Sequence, residues 1–291
     1  MITQAFAEAT DGVILALIVS IALPFLTLVA VESTRGSSRG PCGSFSLIGS
    51  LSQMMGISLI LPFIWLPSLT WSQPAAKANN PELFSKVSLG SPTVINRIAI
   101  GLFLTASVAL LLNPKNPVNF EIIVAIFQYL PTVLPLLWAS FTLSKLANKK
   151  STTIPEAQAS SDRAIHIYYA IGIITSILYI YSCLVPLSLP LEDFLPSVYN
   201  LAKFAISHPS DRGQLMNWFL FGEWISVSIT SSIFIAFESA VLGDGWVLAP
   251  FLFLARGLLI GNGASLMLFA VWREKKIMER LRAALKGKKR E

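Results

Sequence analysis

The stretch Met216–Ser239, MNWFLFGEWISVSITSSIFIAFES, is long and apolar enough to cross a bilayer, and it carries an acid, Glu223, within its first half. A carboxylate deep in hydrocarbon costs about 2.5–3.5 kcal/mol on insertion scales, so such a group normally faces a protein-lined cavity and has a function there. At helical spacing Glu223, Ser226 and Thr230 occupy i, i+3 and i+7 and project from one face as a polar stripe. Trp218, Phe219, Phe221 and Trp224 surround the acid. Aromatic faces stabilise a cation by roughly 0.5–2 kcal/mol each, which suits a pocket that handles positive charge. The alternative reading is plainer: hydroxyls that pack helices and aromatics that anchor at the interface.

Around this stretch the whole chain is apolar. Hydrophobic residues make up 54% of it and charged residues 13%, about half the share of a soluble protein. The apolar residues fall in seven blocks, Val13–Val31, Phe45–Leu66, Ile98–Leu112, Ile122–Phe141, Ala164–Leu187, Leu215–Phe237 and Trp246–Trp272, most of them near the roughly 20 residues that a spanning helix needs. None alternates with the period of a barrel strand. The expected fold class is therefore all-α, a polytopic transmembrane helix bundle of seven or eight spans. The first block lacks a basic region before it and exceeds the length of a signal-peptide core, so it reads as a retained span. Cys42 and Cys183 read as two unpaired thiols.

The net charge of +6 is concentrated after Trp272, where REKKIMERLRAALKGKKRE holds nine Lys/Arg. This location points to a cytoplasmic juxtamembrane tail and away from nucleic acid. The expected organisation is a transmembrane bundle over 1–272 and a basic cytoplasmic tail over 273–291, in the endoplasmic reticulum membrane. An amphipathic segment, Leu191–Ser207, is the eighth span or a surface-lying helix. Counting it as a span places both ends in the cytoplasm and the basic loop 142–163 on the cytoplasmic side. It also places Arg35 and Arg39 in the lumen, opposite the tail.

The last block holds Arg256, then Gly257 and Gly261 in a small-xxx-small pattern suited to close helix contact, with Asn262 beside them. Arg256 reads either as a counter-ion or substrate-oxygen ligand, or as the partner of Glu238, Asp244 or Glu32 in a structural ion pair. Two histidines in separate segments, His166 and His208, exclude a histidine-rich metal site. An isolated Glu192-Asp193 pair is no aspartate-rich diphosphate motif. Walker, dinucleotide and G-x-S-x-G motifs are missing. Neither a metal nor a cofactor is expected.

Four places in the chain resemble a family of multi-span proteins encoded in fungal secondary-metabolite gene clusters, which includes the membrane terpene cyclase of the ascofuranone pathway and a membrane protein of paxilline-type clusters. They are WFLFGEW with Glu223 at the family's acid position, GLLIGNGASLMLFAVWREKK near the end, QYLPTVLPLLW in the centre, and Arg39-Gly40-Pro41 in the first loop. The chain departs in having Glu for Asp, and Gly222 where an aromatic is usual. The resemblance implies a metal-independent terpenoid or meroterpenoid cyclase that starts cyclisation by protonation. It implies a catalytic acid at Glu223. The residues themselves add Arg256 as the second catalytic candidate and Trp218, Trp224, Ser226, Thr230 and Asn262 as candidates to line the substrate site.

The residues support that chemistry independently: a buried acid, aromatic rings and an apolar surround. A desolvated carboxyl holds its proton near neutral pH and can give it up as a general acid. The expected partners are a prenylated or epoxidised lipophile, the lipid bilayer and neighbouring pathway enzymes. Two other classes stay open, a transporter or exporter of a lipophilic metabolite and a non-catalytic scaffold. A cyclase converts its precursor in microsomes without a gradient, whereas a transporter moves it unchanged.

Overall fold

The computed structural model describes residues 12–36, 38, 40–72, 88–110, 153–187 and 212–288. Every described element is helical. In chain order they are α1 (Gly12–Ser33), a 3-10 turn (Gly40–Gly43), α2 (Phe45–Met55), α3 (Ile57–Ile60), a π-turn (Leu61–Trp65), α4 (Leu66–Ser72), α5 (Pro92–Leu110), α6 (Ile154–Leu187), α7 (Arg212–Val241), α8 (Leu248–Ile260) and α9 (Asn262–Lys288). The parts of α6 and α7 over Ile154–Ser182 and Gly222–Val241 are long and apolar enough to cross a membrane.

Three helices run parallel. Gly263 of α9 lies against the Ser20 carbonyl of α1, and ten residues on Arg273 pairs with Glu32 at 2.7 Å. Asn262 likewise bonds Ser228 of α7, and Arg273 then meets Glu238. The long α6 runs the other way, with Tyr179 against Gly261, Gly172 against Met267, and Tyr169 beneath Lys275. Close approach explains the small residues. A side chain at Gly263 would collide with the Ser20 carbonyl, and one at Gly261 would meet the Tyr179 ring at 2.8 Å. α5 starts where α1 ends, since the Gly90 N–H donates to Thr34 and Arg163 of α6 donates to the Pro92 carbonyl.

Two apolar blocks that read as single spans are each two helices. Block 45–66 breaks at Gly56 (φ 93°, ψ 141°), and block 246–272 breaks at Gly261 (φ 89°, ψ 145°). Both residues sit in a backbone region that L side chains rarely adopt. In each case the glycine N–H still closes the helix before it, onto Ser52 or Gly257, while the glycine carbonyl opens the helix after it. The chain doubles back at both points. Cys42 N–H bonds Ser68 Oγ at 3.1 Å across the open end of the first hairpin. In the second, Ser265 Oγ donates to the Phe253 carbonyl at 2.9 Å and Lys276 pairs with Asp244 at the open end.

The core joins these parts through aromatic rings. Trp65 is fully buried and meets Phe25 of α1 edge-on at 5.0 Å and Phe234 of α7 at 5.7 Å. Phe269 of α9 meets Phe234 edge-on at 6.0 Å, and Trp272 lies tilted against Phe269 at 5.1 Å. Outward faces are apolar too. Ile225, Ile229 and Ile233 of α7, Ile173 and Ile177 of α6, and Leu254, Leu258 and Leu259 of α8 are all exposed. A helix that is apolar all round belongs in a core or in lipid.

Candidate functional site

Glu223 is buried at the first hairpin turn. Its Oε2 accepts the Ser58 N–H at 2.8 Å, and its Oε1 lies 2.7 Å from Ser58 Oγ. Ser226, one turn along α7, donates from Oγ to the Ser58 carbonyl at 2.9 Å. Thr230 donates to the Ser226 carbonyl and continues the stripe without reaching the turn. The carboxyl thus caps the helix that restarts after Gly56, where free N–H groups favour a negative partner. Ser58 itself is half-buried and is followed in the chain by the exposed Leu59. No Cβ fills the space beside Gly222, which is exposed.

Two bonding modes fit the Oε1–Oγ pair. With Glu223 ionised, Ser58 donates its hydroxyl proton. With Glu223 protonated on Oε1, the same distance lets the acid donate to Ser58 Oγ while Oε2 keeps the backbone N–H. The arrangement can hold a proton and pass it through a hydroxyl.

The other sequence-selected residues are distributed around α7. Asn262 Nδ2 donates to Ser228 Oγ at 2.8 Å, on the side of α7 away from Glu223, so the second hairpin turn docks opposite the first. Trp224 is half-buried and packs on the core. Trp218 belongs to α7, but its side chain lies outside the described residues, as do Cys183, His208, Glu192, Asp193 and QYLPTVLPLLW. Arg256 is half-buried on α8, and its Nε donates to the Leu252 carbonyl of its own helix at 3.1 Å. Among the described residues it forms no ion pair with Glu238, Asp244 or Glu32. Those acids pair with Arg273, Lys276 and Arg35.

Sequence reasoning missed a second polar centre. Glu32, Arg35, Glu238, Arg273 and Glu274 are all buried and form one network. Arg273 donates from Nη1 to Glu32 Oε1 and from Nε to Glu238 Oε2, both at 2.7 Å, and its guanidinium lies 5.7 Å from the Phe234 ring centre. Arg35 clasps Glu32 with Nε and Nη2 and also bonds Glu274. Burial alone would lower the Arg35 pKa; the carboxylates of Glu274 and Glu32 override it and push it up. The boundary at Trp272 therefore falls inside α9, and Arg273 and Glu274 belong to the core. A signal was present in the sequence, because Glu32, Glu238 and Arg273 each directly follow the last residue of an apolar block.

The family model described as the CtvD domain matches residues 9–211, more than half of the chain. The chain belongs to that family. The matched segment includes Glu32, Arg35 and Ser58 and ends before Glu223 and Arg256. No curated protein and no solved structure matches the chain.

Proposed function

We propose, from membership of the CtvD-domain family, that this protein is a membrane-bound cyclase of terpenoid or meroterpenoid precursors that starts ring closure by protonation. In this reading the seven apolar blocks lie in the bilayer, most naturally that of the endoplasmic reticulum, and the basic tail is cytoplasmic. Glu223 is the proton source. The observation that carries the assignment is the Glu223–Ser58 pair, with one carboxyl oxygen fixed by a backbone N–H and the other sharing a proton position with a half-buried hydroxyl. Burial of a carboxyl in an apolar bundle favours its neutral form, and a fixed hydrogen-bonding geometry speeds proton transfer. Trp218, Trp224, Ser226 and Thr230 are proposed substrate neighbours, Asn262 standing on the side of α7 away from Glu223, and Arg256 is proposed to hold a substrate oxygen. A prenylated or epoxidised lipophile would arrive from the membrane beside Gly222.

The reading is tested by supplying prenylated phenols and epoxy-terpenoids to microsomes that contain the expressed protein and analysing products without an ion gradient. Conversion supports a cyclase. Unchanged compound that accumulates inside sealed vesicles supports a transporter. That second reading has its own support, since helices interrupted at mid-depth and docked on a central helix are a common construction in secondary transporters.

A further inference from the structure

We infer that residues 45–72 and 248–272 are re-entrant hairpins, both of which enter the bilayer from the face that carries Arg273 and turn back at Gly56 and Gly261 before reaching the other side. The inference rests on the membrane reading above but not on catalysis.

Four observations carry it. First, the open ends of both hairpins lie at one level. Cys42 and Ser68 close the first near the end of α1, and Asp244 and Lys276 close the second near the end of α7, beside the Glu32–Arg273–Glu238 network. Second, the turns stop short. Ser58 meets α7 at Glu223, fifteen residues before Glu238, and Asn262 meets it at Ser228, ten residues before Glu238. At 1.5 Å per residue these depths are about 22 and 15 Å, against a hydrocarbon core of about 30 Å. Third, each turn is held to α7 by polar side chains. Such backbone is tolerated within a membrane where side chains satisfy it: Glu223 and Ser226 bond the Ser58 N–H and carbonyl, and Ser228 accepts from the Asn262 side-chain amide. Fourth, Trp71 and Trp246 stand exposed at the outer ends of the two hairpins, where tryptophan anchors at an interface.

Orientation follows from the charges. Arg35, Arg163, Arg273, Lys275, Lys276 and Arg280 lie at or beyond the network face. By the positive-inside rule this face is cytoplasmic. Because α1 runs parallel to α7 and α9, its start at Gly12 lies on the opposite, lumenal side. The expectation that Arg35 faces the lumen while the tail faces the cytoplasm gives way here, since Arg35 is bonded to Glu274 at the root of that tail.

The test places an N-glycosylation acceptor with a short polar spacer at the N-terminus, within 73–87, within 188–211, or at the C-terminus of the full chain in microsomes. Epitope tags at the same four points are read by protease protection. Alkaline extraction comes first: release of the chain would remove the membrane reading, whereas retention leaves the hairpins as the point at issue. The expected pattern is glycan at the N-terminus and within 188–211, and none within 73–87 or at the C-terminus. A block that crossed the bilayer would put the N-terminus and 73–87 on one side, or 188–211 and the C-terminus on one side. Either result overturns the corresponding hairpin, and a fully reversed pattern overturns the orientation.

Discussion

Arg273 and Glu32, 241 positions apart in sequence, are joined by two hydrogen bonds with no solvent around them, at 2.7 and 3.2 Å. The pair ties the end of α1 to the middle of α9, and Glu238 extends the tie to α7. Desolvating such charges is costly, so their value lies in mutual pairing. Removing one partner leaves the others buried and uncompensated.

The substitution Arg273→Met therefore should destabilise the fold by about 3–5 kcal/mol, the usual cost of breaking a buried pair. Thermal unfolding in detergent, followed by size-exclusion chromatography, measures this. Arg273→Lys should recover part of the loss and no more, because an ammonium cannot serve Glu32 and Glu238 with a planar fork. A Met variant as stable as the parent would show the network to be ornamental.

Gly56→Ala and Gly261→Ala should each cost about 1–2 kcal/mol from the positive φ alone. Each adds a clash, since a Cβ at Gly56 would stand 2.5 Å from Glu223 Oε1 and one at Gly261 2.8 Å from the Tyr179 ring. Gly222→Ala serves as the control, because a Cβ there meets nothing. Melting temperatures should fall in the Gly56 and Gly261 variants and stay near that of the parent in the Gly222 variant.

Arg256→Gln should leave stability within about 0.5 kcal/mol, as expected where no ion pair is lost. Its effect on turnover then reports directly on contact with substrate. A large loss of folded protein would reveal a structural partner for this side chain.

How much of this was legible in the sequence depends on where each contact comes from. Glu223 and Ser226 share a helix face, so period 3.6 placed them together, and both reach the same turn. Ser58 was invisible because its partner lies 165 positions away. The all-helical character followed from the apolar blocks, but block length could not reveal that Gly56 and Gly261 interrupt two of them. A positive φ is a tertiary choice that leaves no periodic trace. Gly261 did read as a residue of close contact, and Tyr179 supplies that contact. Arg273 read as the first residue of a basic tail, since its hydrogen-bond partners Glu32 and Glu238 lie on other helices.

Ser58→Ala should lower turnover while leaving the substrate KM nearly unchanged, because the backbone N–H still holds Glu223 Oε2. Ser58→Thr keeps the hydroxyl and should restore most of the activity. Equal loss in both variants would assign Ser58 to packing of the turn.

The central claim is that Glu223 supplies the proton for cyclisation, and the direct measurement is product formation by Glu223→Gln beside wild type in microsomes, normalised to folded protein. Glutamine preserves the shape and can still accept the Ser58 N–H, so folding should be nearly intact while turnover falls by roughly 100-fold or more, the usual contribution of general acid catalysis. Near-normal product formation by a folded Glu223→Gln protein would contradict the account and leave Glu223 as the cap of the first hairpin turn.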